Sequence, residues 1–83
     1  MKTLQIMCDC EAELVSAMKN WPKFNSAHEG LAVLEEEVKE LRDHVYTNQK
    51  KRDIQLMKNE AIHVAAMAMR FAIEVCNEID GRK

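Results

Sequence analysis

Between Asn59 and Cys76 the chain reads NEAIHVAAMAMRFAIEVC, and as a helix this stretch is apolar on more than one side. Ile62, Ala66, Met69, Ile73 and Cys76 form one face. Val64, Met67 and Phe71 form a second, nearly opposite, and Ala61, Ala65, Ala68 and Ala72 make a small-residue stripe between them. A helix that is apolar on several sides must be covered on several sides. In an 83-residue chain, two other helices leave part of it uncovered. The expectation is therefore an all-α, three-helix protomer that assembles as a homo-oligomer, dimer or tetramer, into a multi-helix bundle. The third helix would pack against its symmetry mate.

The rest of the chain agrees with an all-α reading. Two glycines and one proline are too few turn formers for many short strands. The first helix is expected over about residues 3–20, with Leu4, Met7, Cys8, Leu14, Val15 and Met18 at helical spacing on its buried face. Pro22 restricts Trp21 and stops it. Ser26 followed by Glu29 is a capping box that opens the second helix, about residues 27–46, whose core stripe is Leu34, Val38, Leu41 and Val45. The polar segment TNQKKRD, residues 47–53, reads as a connection. The third helix is expected over about 54–79, with Gly81 as its stop. The whole of residues 1–83 reads as one small domain.

A net charge of −2 gives no electrostatic case for a nucleic acid polymer. No apolar run reaches the roughly 20 residues of a membrane span, and acids stand where a signal peptide would be apolar, so the expected location is cytoplasmic. Cys8, Cys10 and Cys76 lack the spacing of a zinc site. Cys8 and Cys76 fall on apolar helical faces, the usual place of a buried reduced thiol.

The chemistry-bearing feature is LEEEVKEL, residues 34–41. On a helical wheel referenced to the Leu34/Val38/Leu41/Val45 stripe, Glu29, Glu36, Glu37, Glu40 and His44 share a sector roughly 100° wide, with Val33 among them. Glu35 and Lys39 lie on the other side as an i,i+4 pair, with Arg42. The acid sector holds no Lys or Arg. Like charges at i,i+3 and i,i+4 cost roughly 0.2–0.5 kcal/mol each, so solvent must screen these carboxylates or a cation must neutralise them. Magnesium requires six oxygens, more than one helix supplies. The third helix offers Glu60 and, one turn on, His63, and Glu60 borders an apolar face where an unpaired charge is costly.

These residues carry a family resemblance. The chain resembles the MazG-like all-α nucleoside triphosphate pyrophosphohydrolases, a group related to dCTP pyrophosphatases and dimeric dUTPases, and its short phage-type members in particular. The resemblance runs over roughly residues 18–76. It rests on the Trp21/Phe24 loop, on EEVKE with Glu36, Glu37 and Glu40, and on EAIH, which begins at Glu60 after 19 intervening residues. One position departs from the pattern: the family's last acid is Asp, and His63 stands there. Imidazole suits manganese or other transition metals better than magnesium.

The resemblance implies a metal-dependent enzyme that cleaves a (deoxy)nucleoside triphosphate to the monophosphate and pyrophosphate. It implies Mg²⁺, or Mn²⁺, held by Glu36, Glu37, Glu40, Glu60 and His63, with Glu37 and Glu40 as the catalytic carboxylates. Trp21, Phe24 and Asn25 would recognise the base, and Lys39 and Arg70 would contact phosphate. Plainer readings stand beside these roles. Arg70 also forms an i,i+4 pair with Glu74, Trp21 and Phe24 can cap the first helix, Glu60 can be solvated near its helix start, and His28 and His44 can be merely exposed. A catalytically inactive nucleotide-binding or protein-interaction module on the same fold is the rival reading. A bare helical oligomerisation domain, with incidental acids, is the third.

Overall fold

The computed structural model describes residues 2–47 and 49–77. They form three helices, α1 (Lys2–Asn20), α2 (Ala27–Val45) and α3 (Ile54–Phe71), with no strand among the described residues. A short 3₁₀ turn, Gln49–Lys51, lies in the connection before α3. The expected stop at Gly81 lies outside the described residues. So does the end of the third helix at Ile79. What is described there differs from a plain α-helix: after Phe71 the chain continues as a π turn over Ala72–Asn77. A π turn holds more residues per turn than an α-helix, and here two adjacent residues, Glu74 and Val75, are both buried.

The helix starts follow local chemistry. Ser26 is extended, and its hydroxyl accepts the Glu29 N–H at 3.1 Å. The Glu29 carboxylate reaches back one residue further than in the usual box, to the Asn25 N–H. Asp53 caps α3 in the same way, accepting the Leu56 N–H at 3.1 Å.

Helix α3 is central. Both α1 and α2 pack on it, while α1 and α2 scarcely meet each other. From Ile62 to Met67 every residue of α3 is buried or half-buried, so the two helices together cover most of this stretch. The shared core is small: Leu14 and Ala17 from α1, Ala66 and Met67 from α3, with Phe24, Val33 and Leu34 packed against them. Gly30 is buried where α2 crosses the aromatic side chains. A β-carbon there would lie 2.7 Å from the Phe71 ring and 3.0 Å from Phe24, so this close approach requires glycine.

Three expectations about the core are corrected. On α1, Leu4, Met7, Cys8, Val15 and Met18 are exposed, and of the expected stripe only Leu14 is buried. On α2, Val38 and Val45 are exposed, and the inward face is Gly30, Val33, Leu34, Glu37, Leu41 and His44. Beyond α3, Cys76 is exposed where a buried thiol is expected, whereas the exposure of Ala61, Ala68, Met69, Ala72 and Ile73 agrees with the expectation that two helices leave part of the third uncovered. The physical reason is common to all three. One helix can bury only the strip of a neighbour that faces it, and each of these helices has more apolar surface than its two neighbours cover. The protomer measures 51 × 30 × 19 Å, an elongated shape with little interior.

Candidate functional site

The second helix turns Glu37 inward, toward α3, and there it meets Glu60 and His63. These three side chains place one ligand atom each within 4.8 Å of one another. His63 Nδ1 lies 3.2 Å from Glu60 Oε1 and 3.7 Å from Glu37 Oε1. The other ring nitrogen, Nε2, lies 3.7 Å from Glu13 Oε1 on α1. The imidazole therefore bridges carboxylates from all three helices. Its i,i+3 spacing from Glu60 makes the α3 half of the cluster a local feature, whereas Glu37 and Glu13 arrive through packing.

Glu37 is the strained member. Its Oε1 is buried and accepts no hydrogen bond. Burial pushes its carboxyl up from 4.5 to about 7, the carboxylates of Glu40 and Glu60 add to the shift, and His63 opposes it. Glu37 and Glu60 can hydrogen-bond each other only while one of them carries a proton, because two carboxylates are both acceptors. Either a proton or a cation completes this arrangement.

Next to the cluster is an open cleft of about 500 Å³. Glu36 and Glu37 line it from α2, Glu13 and Ala17 from α1, and the connecting loop supplies Trp21, Lys23 and Asn25. Trp21 is 65% exposed at the cleft. It does not cap the first helix core. Phe24 has the opposite fate: half-buried, it packs against the core and lies under the Arg70 guanidinium, 4.1 Å from ring centroid to Cζ. Both rings of the expected platform line the cleft, Trp21 exposed and Phe24 anchored in the core.

Arg70 and Glu74 form the anticipated i,i+4 pair, Nε to Oε2 at 3.0 Å, and the pair is buried at 4% and 6% exposure. Arg70 also donates to the Pro22 carbonyl, and the second oxygen of Glu74 accepts the Phe24 N–H at 2.9 Å. The guanidinium is therefore already engaged by protein groups. Lys39 pairs with Asp43 at 3.1 Å in place of Glu35, and it is not among the cleft-lining residues. Glu40 is exposed, close enough to act on Glu37 but outside the three-residue cluster. His28 is exposed, and His44 is half-buried.

Glu60 is not a solvated acid at a helix start. Its side chain is largely buried, with His63 as partner. Glu13 is the residue that sequence reasoning missed. It follows from the face of α1 that actually packs, because Glu13 and Ala17 are one turn apart. The more conspicuous Leu4/Met7/Val15 stripe points elsewhere.

Among the described residues no helix is long and apolar enough to cross a membrane. Comparison with protein-family models, with curated proteins and with solved structures finds no match for this chain.

Proposed function

We propose that this protein is a metal-dependent nucleotide pyrophosphohydrolase, acting on a (deoxy)nucleoside triphosphate in the cleft between Trp21 and Glu37. The observation that carries this reading is the convergence of Glu37, Glu60 and His63 beside a cleft with an exposed aromatic ring. The resemblance of EEVKE and EAIH to the MazG-like motifs supports the same reading.

The donor set fits a divalent cation. A buried, unpartnered carboxylate oxygen, a second largely buried carboxylate and an imidazole nitrogen meet at one point. Glu37, Glu60 and His63 would hold the ion, with Glu36 and Glu40 alongside. When bound, it supplies charge neutralisation on the triphosphate and polarises the bond that breaks. The carboxylates of Glu13, Glu29, Glu36 and Glu37 line the cleft and outnumber its two cations, Lys23 and the Glu74-paired Arg70, so nucleotide without metal should bind poorly. Trp21 offers a face on which a base can stack, and the exposed Asn25 side chain offers a paired donor and acceptor to its edge. Without an ion, burial and neighbouring acids raise the Glu37 carboxyl to about 7; a bound cation would favour the ionised carboxylate, the form that can accept a proton from water.

A second reading, a nucleotide-binding or interaction module without turnover, is favoured by one observation. Where the family has an acid, the His63 ring lies 3.2 Å from Glu60 and occupies that carboxylate. Pyrophosphate release across the common NTPs and dNTPs, with Mg²⁺ and with Mn²⁺, separates the two. Turnover with at least one nucleotide, stronger with Mn²⁺, is the expected result. No turnover with any of them at high protein concentration refutes the enzyme.

We also propose self-association as a dimer or tetramer. The exposed Leu4, Met7, Val15 and Met18 on α1, Met69 on α3 and Ile73 just beyond it support it, because burying such large apolar side chains against a second copy is favourable. Light scattering at micromolar concentration should report a multiple of the 9.6 kDa chain mass, and a monomer refutes the assembly.

A further inference from the structure

We infer that Arg70 and Glu74 are positioning residues for the cleft, a buried clamp that holds residues 21–25 as a preformed wall. The inference rests on the reading of the cleft as a ligand site. It uses a part of the molecule that the metal cluster does not.

The clamp's contacts converge on one short segment. Glu74 divides its two oxygens between the Phe24 N–H and the Arg70 Nε. Arg70 in turn donates to the Pro22 carbonyl and lies over the Phe24 ring. Two side chains one turn apart on the last helical segment thus grip the loop at three points, across 48 and 50 residues of chain. A further anchor, from the Asn25 N–H to Glu29, ties the loop to α2. Phe24 is further wedged against Gly30, where a β-carbon would approach its ring to 3.0 Å.

A buried ion pair gains little stability over a well-packed apolar pair of similar volume. Its hydrogen bonds, however, are directional, and here they specify one loop conformation. Trp21 and Asn25 flank the gripped residues, and both line the cleft. With the loop already ordered, a ligand that stacks on Trp21 does not bear the entropy of ordering it, which is how preorganisation raises affinity. Arg70 also lines the cleft, but its guanidinium is taken up by Glu74, the Pro22 carbonyl and the Phe24 ring, so it acts on a ligand through the loop.

Trp21 is the only tryptophan, so its fluorescence reports the loop directly. The test compares the wild-type chain with the double variant Arg70→Leu/Glu74→Leu, which removes both charges together and keeps apolar volume. Without any nucleotide, Trp21 anisotropy should fall and acrylamide quenching should rise in the variant, with helix content by circular dichroism retained. With ATP, GTP, CTP or UTP and Mn²⁺, KM should rise about tenfold, with a much smaller change in kcat. A direct phosphate contact by Arg70 would raise KM and leave Trp21 unchanged in the free protein. Unchanged anisotropy, or a loosened loop with unchanged KM, overturns the inference. In the wild-type protein the Phe24 amide should also exchange as slowly as helical amides. Rapid exchange overturns the clamp even if the double variant fails to fold. If the wild-type protein turns over no nucleotide, the enzyme reading falls. The anisotropy and exchange measurements still decide the clamp.

Discussion

Glu37→Gln should make the metal-free protein more stable at pH 8 and abolish binding of the proposed divalent cation. The two effects have one cause. A carboxyl whose folded-state pKa lies above its unfolded value favours folding below the unfolded value, here 4.5, and that contribution is lost as the pH rises to about 7. The wild-type melting temperature, measured with chelator present, should therefore decline across that window. The glutamine variant should lack the decline, because its amide is neutral throughout and can donate to Glu60 where two carboxylates cannot. Metal reverses the sign, since a cation favours the ionised carboxylate. Titration of Mn²⁺ into the wild-type protein at pH 6 should release a proton that titration at pH 8 does not. The variant should lose at least about 100-fold in Mn²⁺ affinity, as changes even beyond the direct ligands cost 10–100-fold. Calorimetry in buffers of different ionisation enthalpy measures both quantities. Mn²⁺ affinity unchanged in Glu37→Gln would remove Glu37 from the metal site.

Glu74→Ala should be the most damaging single substitution for the fold. It leaves the guanidinium of Arg70 buried without its counter-charge and removes the acceptor of the Phe24 N–H. Breaking a buried pair from one side costs about 3–5 kcal/mol, a large share of the roughly 5–15 kcal/mol that holds a small domain. At about 4–8 °C per kcal/mol for a chain of this size, the melting temperature should fall by tens of degrees. Removing both charges in Arg70→Leu/Glu74→Leu should cost less than Glu74→Ala alone. A drop of only a few degrees for Glu74→Ala would show that water already reaches the pair.

Much of the local structure is legible in the residues. Ser26 with Glu29, Asp53 with Leu56, and the Pro22 stop follow from the need to satisfy or break backbone hydrogen bonds near each helix end. The pairing of Arg70 with Glu74 and of Glu60 with His63 follows from helical spacing alone. On the α2 wheel Glu37 is the acid of LEEEVKEL that lies closest to the core stripe, and it is the one of Glu36, Glu37 and Glu40 that is half-buried. Other features were not legible. The wheel for α2 took Val38 and Val45 as core, so Val33 appeared as an intruder among acids, whereas the packed face runs through Val33 and Glu37. Lys39 chose Asp43 over Glu35, two partners that spacing ranks alike. The π turn after Phe71 leaves no mark on a 3.6-residue pattern.

By itself, the sequence determined three helices, their starts, and the acid and imidazole that α3 presents one turn apart. These depend on interactions within a few residues, and such interactions are the same wherever the helix is placed. The tertiary structure decided which side of each helix is inside. With it came the arrival of Glu37 and Glu13 at His63, the separation of Trp21 from Phe24, and the reach of Arg70 and Glu74 to a loop about 50 residues away. Helices with surplus apolar surface admit several rotations that bury similar area. The choice among them rests on close contacts such as Gly30 against Phe71, which no periodicity encodes.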